Sequence, residues 1–151
     1  MQRQVASSLV DARQKAMSQR TPITFRYNNF NKQIIYYGGS FGVFNDSKNR
    51  VIELSGAGVA SSEIVYGRPS GAPASALSDS SNMTPLTSGV VDITFQSDGS
   101  VIDSGNNPTN NALFFYNQKY ARESAFAISI LGAGGRVKVW RYNRYITEYV
   151  E

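Results

Sequence analysis

A chain of 151 residues amounts to one domain, long enough to close a single hydrophobic core. It contains neither cysteine nor histidine, which excludes disulfides, thiolate metal sites, cysteine nucleophiles and Ser-His-Asp triads, and removes the commonest general base. The net charge of +4 is spread unevenly: Arg3 to Lys32 and Lys119 to Arg144 each carry six basic residues against one acid, whereas Gln33 to Asn117 carries three against seven, so anionic partners would meet the ends. No apolar run approaches the roughly 20 residues that cross a bilayer, and MQRQVASSLV lacks the apolar core of a secretory signal. The chain as it stands is expected to be soluble, or to be a piece from which a membrane segment has been removed.

Residues 4–20 place Val5, Leu9, Ala12 and Ala16 at steps of four, three and four, the period of an amphipathic helix, with Thr21-Pro22 as its stop. The stripe is narrow and rich in small residues, so a sheet or another helix can come close. Packing on the domain's own sheet is its simplest use. From Pro22 the period changes to two. Ile23, Phe25 and Tyr27 share a face, NNFNK is a turn, and QIIYY is the returning strand. Further short strands are expected at Phe41 to Phe44, Arg50 to Leu54 and Ser62 to Tyr66, which gives a meander over 22–66. Residues 67–89, rich in serine with three prolines, bury too little apolar surface to offset their ordering entropy, and read as a long mobile surface loop. Strands resume over 90–142. Val91, Ile93 and Phe95 alternate with polar residues, Asp98-Gly99 makes a two-residue hairpin turn, and ALFFY, AFAISIL and RVKVWRY follow. Residues 143–151 are a C-terminal tail. One helix followed by antiparallel hairpins is an α+β fold with an N-terminal amphipathic helix packed on antiparallel β-sheets.

This order of motifs resembles the soluble portion of minor pseudopilins and type IV pilin-like proteins of the GspH/FimT kind. Ala12-Arg13 with Ala16 matches the family's Ala-Arg-x-x-Ala helix end, Phe95 and Gly99 match its Phe-x-x-x-Gly strand end, and Gly135-Arg136 matches the Gly-Arg that opens its final strand. The family's Gly-Phe-Thr-Leu-Ile-Glu-like processing site and long apolar helix are missing. The resemblance therefore implies that residues 4–20 are the soluble half of that helix, separated from its membrane half, with Met1 an added initiator. It implies a structural role in a type IV pilus or type II secretion pseudopilus, with other pilin or pseudopilin subunits as partners. The full-length protein would be anchored in the inner membrane, facing the periplasm or a surface filament. In such a filament Val5, Leu9, Ala12 and Ala16 would be the helix's subunit contacts.

Chemistry beyond assembly has few candidates. Asp92 with Asp98, or Asp98 with Asp103, could form a carboxylate pair of the kind glycoside hydrolysis uses, but turn and solvent roles explain each better, and no enzyme is expected. NDSKN and SDGS lack calcium-loop spacing, so neither metal nor cofactor is expected. The glycines of LGAGGR precede a strand, not a helix, and read as a hairpin turn, not a phosphate cradle. By parity Val137 and Val139 face the core, which turns Arg136 and Lys138 outward with Trp140 and Tyr142. That row either guards an edge strand, with its aromatics capped by the tail, or binds DNA. Some pilin-like relatives bind DNA through Gly-Arg-x-Arg on this hairpin. Here the second arginine is Lys138, and the DNA surface would comprise Arg136, Lys138, Trp140, Arg141 and Arg144. A tip adhesin using the 67–89 loop is a third possibility.

Overall fold

The computed structural model describes residues 2–38, 50–54, 60–70, 77–103 and 105–151. Helix α1 (Gln2–Gln19) ends where Arg20 takes a left-handed conformation (φ 52°) and the Thr21 N–H donates back to the Ala16 carbonyl at 3.2 Å, a Schellman closure just ahead of Pro22. Among the described residues nine strands follow: β1 (Ile23–Asn28), β2 (Gln33–Gly38), β3 (Arg50–Glu53), β4 (Ile64–Tyr66), β5 (Val90–Phe95), β6 (Asn111–Asn117), β7 (Phe126–Leu131), β8 (Arg136–Asn143) and β9 (Glu148–Val150). A one-turn helix α2 (Ala121–Ser124) precedes β7. The strands form two antiparallel sheets, of order β3-β2-β1-β5 and β4-β6-β7-β8-β9. The meander expected over 22–66 is thus divided, because β4 leaves the first sheet to pair with β6 in the second. The strand expected at Phe41 to Phe44 lies outside the described residues.

Helix α1 touches β1, β2 and β5 of one sheet and β7 and β8 of the other, so it covers the seam between them. Val5, Leu9, Ala12 and Ala16 are fully buried there. They meet Phe25, Ile34, Ile93 and Phe95 from the first sheet and Leu113, Phe115 and Ile128 from the second. Each large side chain buried in this way contributes about 1.5–3 kcal/mol. On the far face of the first sheet, register sets polar partners directly opposite each other. The Thr24 and Thr94 hydroxyls are 2.8 Å apart, and Arg26 grips Asp92 through two hydrogen bonds of 2.7 and 2.8 Å.

The five-stranded sheet is buried on both faces. Its second face holds Ala112, Phe114, Ala127, Trp140 and Tyr142 beneath Leu77 and Tyr149. Two expectations are corrected here. Part of the 67–89 loop is packed: Leu77 and Ser81 are buried, and the Thr84 N–H donates to the Ala112 carbonyl at 2.9 Å. The C-terminal tail returns as β9, which pairs with Arg141–Asn143 and lays Tyr149 against Tyr142 and Phe114. Asp98-Gly99 also differs from a two-residue turn. The Gly99 N–H donates to the Gln96 carbonyl and the Gln96 N–H to the Ser100 carbonyl, so the loop has three central residues, with Gly99 left-handed at φ 87°.

Candidate functional site

Three segments far apart in sequence meet at the C-terminal half of α1. The Arg13 guanidinium, one residue past buried Ala12, donates from Nε to the Gly134 carbonyl at 2.9 Å in the β7–β8 turn. The same side chain lies against Gly99 and Gly135, both left-handed, with its Nε 3.1 and 3.0 Å from where a Cβ on each would sit. A Cβ on Gly135 would come within 1.9 Å of the Gly99 carbonyl oxygen and 3.0 Å of Arg13 Nε. The Val101 N–H donates to the Gly132 carbonyl at 2.9 Å and ties the two turns together. Arg13, Gly99 and Gly135, which belong to the three motifs of the family resemblance, therefore form one junction between helix and both sheets. Sequence periodicity shows Arg13 only as a polar position beside the stripe. Its contact with a turn 121 residues away has no local signal.

The helix residues expected as subunit contacts are placed elsewhere. Val5, Leu9, Ala12 and Ala16 have no exposed surface, because their small-residue stripe lets α1 settle onto its own sheets. The large apolar side chains that α1 exposes are Val10 and Met17, at 41% and 38%. Beside them Tyr36 donates its hydroxyl to Asp11, and Lys15 stands 3.6 Å from Asp11 and 4.9 Å from the centre of the Tyr36 ring. Between α1 and β8 runs a mostly apolar groove of about 580 Å³, lined by Val10, Val137 and Val139 and also by Arg3, Asp11 and Gln14 of the helix.

The expected DNA surface is not assembled as a row. Parity does turn Trp140 to the side of Arg136 and Lys138, but that side is the second core. Trp140 is 3% exposed, and its Nε1–H donates to the Ser129 hydroxyl at 2.9 Å, so its ring offers no face for base stacking. Ser129 in turn donates to Asp79 at 2.6 Å. Lys138 lies 3.9 Å from the Glu151 carboxylate. Arg141, of opposite parity, points to the other face, and Arg144 pairs with Glu123 at 2.8 Å beyond the strand. Arg141 and Arg144 share a cleft of about 370 Å³ with Arg122, which sequence spacing did not single out. Arg136 stands apart at the start of the strand.

The carboxylates weighed as catalytic pairs each have a structural partner. Asp92 holds Arg26, Asp98 accepts from the Ser100 N–H and hydroxyl, and Asp103 accepts from the Gly105 and Asn107 N–H groups. Asp79 is the one unforeseen acid of interest. Burial alone would raise its pKa, yet hydrogen bonds from Ser129 and Ser81, with Lys138 nearby, hold it below the usual carboxylate range. Among the described residues no group of three or more acidic side chains is gathered as a metal site would require, and no helix is long and apolar enough to cross a membrane.

Residues 2–134 match the family model described as type II transport protein GspH. The match takes in Ala12–Ala16 and Phe95–Gly99 and stops one residue short of Gly135, before β8 and β9. Neither a curated protein nor a solved structure matches the chain. The match spans most of the helix-and-sheet body joined at Arg13, and the chain belongs to the GspH family, with the structural, pseudopilin-like role in type II secretion that this membership carries.

Proposed function

We propose that the protein is a minor subunit that caps or initiates a type II secretion pseudopilus or a type IV pilus, with α1 joining the filament core and the sheets facing outward. In this reading α1 is the distal half of a longer helix whose apolar half anchors the protein in the bacterial inner membrane, with the domain on the periplasmic side. The observation that carries it is the Arg13 junction, which locks α1 to both sheets while leaving Val10 and Met17 outward. A helix held this way transmits position from filament core to surface domain as one body. These 151 residues contain no cysteine, so Val10→Cys or Met17→Cys would be the one thiol within them. Crosslinks from both positions to neighbouring pseudopilins in intact cells are expected. Stable, membrane-localised protein that gives none would overturn the proposal.

DNA uptake is a second reading, favoured by one observation: Arg122, Arg141 and Arg144 line a common cleft, in which Glu123 is the single acid and pairs with Arg144. Three phosphates held there would give log K against log salt a slope of roughly −3. Arg141→Ala/Arg144→Ala should abolish DNA retention while Arg136→Ala/Lys138→Ala leaves it. Equal retention by the first variant and the wild type removes this reading.

A further inference from the structure

Strand β8 is longer than its outer neighbour. Strand β9 covers only Arg141, Tyr142 and Asn143, so among the described residues nothing pairs with Arg136 to Trp140 on that side. Which backbone groups are left over follows from the ladder. The Tyr142 N–H donates to the Ala125 carbonyl, and register continues unbroken through Ala127↔Trp140 and Ser129↔Lys138. Bonding alternates in an antiparallel pair, so the even residues of β8 bond to β7 and the N–H and C=O groups of Val137 and Val139 point away from it. Those two residues also floor the apolar groove against Val10 and Ala6. An open hydrogen-bonding edge and an apolar groove therefore coincide, the arrangement that receives an added strand.

We infer that this edge takes an extended segment of a neighbouring pseudopilin in which acidic and apolar residues alternate, laid antiparallel to β8 and in line with β9. The inference rests on the filament role proposed above. Parity sets the chemistry of the segment. Residues opposite Val137 and Val139 turn toward α1 and must be apolar to fill the groove. Residues opposite Arg136 and Lys138 turn to the other face, where Lys138 already faces Glu151 and Asp79 and an added acid complements Arg136. The chain itself supplies a precedent, since Glu151, next in line after Val150, places its carboxylate 3.9 Å from Lys138, diagonally across the ladder. An acid opposite Lys138 would reach Arg136, which has no partner among the described residues, by the same diagonal.

Two experiments test this. In the first, the peptide acetyl-Gly-Val-Glu-Val-Glu-Gly-amide is titrated into the 151-residue chain and followed by amide NMR. The Val137 and Val139 amides should shift and become protected from exchange, and the charge-reversed Val-Lys-Val-Lys peptide should bind about tenfold more weakly. Lys138→Glu should invert that preference, and Val10→Asp, which puts a charge in the groove, should weaken both peptides, with thermal melts confirming that each variant is folded. Equal binding of the two peptides to wild type, or unchanged exchange at Val137 and Val139, overturns the inference. The second places p-benzoyl-phenylalanine at Arg136 or at Met17 in cells that carry the secretion machine. A crosslink from position 136 mapped to an alternating acidic-apolar stretch of another pseudopilin is the expected result. Crosslinks from position 17 without any from 136 overturn the strand addition but leave the filament role standing. Absence of both overturns the two together.

Discussion

Adjacent glycines in the β7–β8 turn should respond very unequally to the same substitution. Gly135 is left-handed at φ 67°, and a Cβ there would sit 1.9 Å from the Gly99 carbonyl oxygen, a backbone atom that no rotamer change can move. The left-handed conformation costs an alanine about 1–2 kcal/mol, and pushing the two turns apart adds about 1–3 kcal/mol of overpacking strain. Separation would also lengthen the Arg13 bond to Gly134, a charge-assisted contact of about 1.5–3 kcal/mol. Gly135→Ala should therefore cost at least ~3 kcal/mol, which for a chain of this size lowers Tm by about 6–12 °C. Gly134 has no atom within 4 Å of a built Cβ and no positive φ. Gly134→Ala should stay within about 0.5 kcal/mol of wild type. Gly99→Ala falls between them, since its nearest neighbour at 2.7 Å is the movable Met17 sulfur. Scanning calorimetry and urea melts of the three variants measure this order. Equal losses at Gly134 and Gly135 would refute the close approach of the two turns and with it the junction at Arg13.

Trp140→Phe keeps the ring in the second core but leaves the buried Ser129 hydroxyl without its indole donor, and should cost about 1–3 kcal/mol in urea melts. Asp79 titrates below its usual value of 3.8 when folded, so its stabilisation is present above that pH and is lost as pH falls through the lower folded value. The stability gap between wild type and Asp79→Asn should accordingly be level from neutral pH to about 5 and close in stronger acid, as acid melts would show. Burial raises Tyr27 and Tyr66 well above the ordinary phenol range and pushes Tyr149 up to about 12. These three should stay silent at 295 nm when the folded protein is taken past pH 10, and appear together on alkaline unfolding, because only the unfolded state ionises there.

Local signals located most of the elements. The four-and-three spacing from Val5 to Ala16 marks α1 to within two residues, and the alternation of Ile23, Phe25 and Tyr27 marks β1 and its buried face. What local patterning does not carry is which strands become neighbours. Strand β5 pairs with β1 across more than 60 residues, and β4 crosses to the other sheet, because burial of both faces decides sheet membership. The same limit explains the misplaced stacking face. Alternation in RVKVWRY identifies two faces correctly, but an outward face in a strand pattern is solvent only if nothing covers it. Here Leu77 and Tyr149, neither of them next to β8's first half in sequence, supply a second core. The low aliphatic content of 77–86 hides that role, since the Ser129 hydroxyl donating to Asp79 and the Thr84 N–H donating to the Ala112 carbonyl hold the segment down as much as apolar contact does.

The residues that look like one basic-aromatic surface in sequence thus go to three destinations, and their separation is what makes the β8 edge usable. Trp140 and Tyr142 fasten one face of the strand to the second core, through the Ser129–Asp79 hydrogen bonds and the ring of Tyr149. Val137 and Val139 fasten the other face alongside α1, whose position Arg13 fixes against the very turn from which β8 starts. With both faces held, the backbone edge that no described residue pairs is already extended before anything binds, so an added strand bears its own ordering entropy and not that of β8. Charge at Arg136 and Lys138 then discourages pairing with a like-charged copy of the same edge while leaving it open to an acidic one. A filament subunit needs such discrimination, because an uncovered edge that accepted any strand would pair with itself.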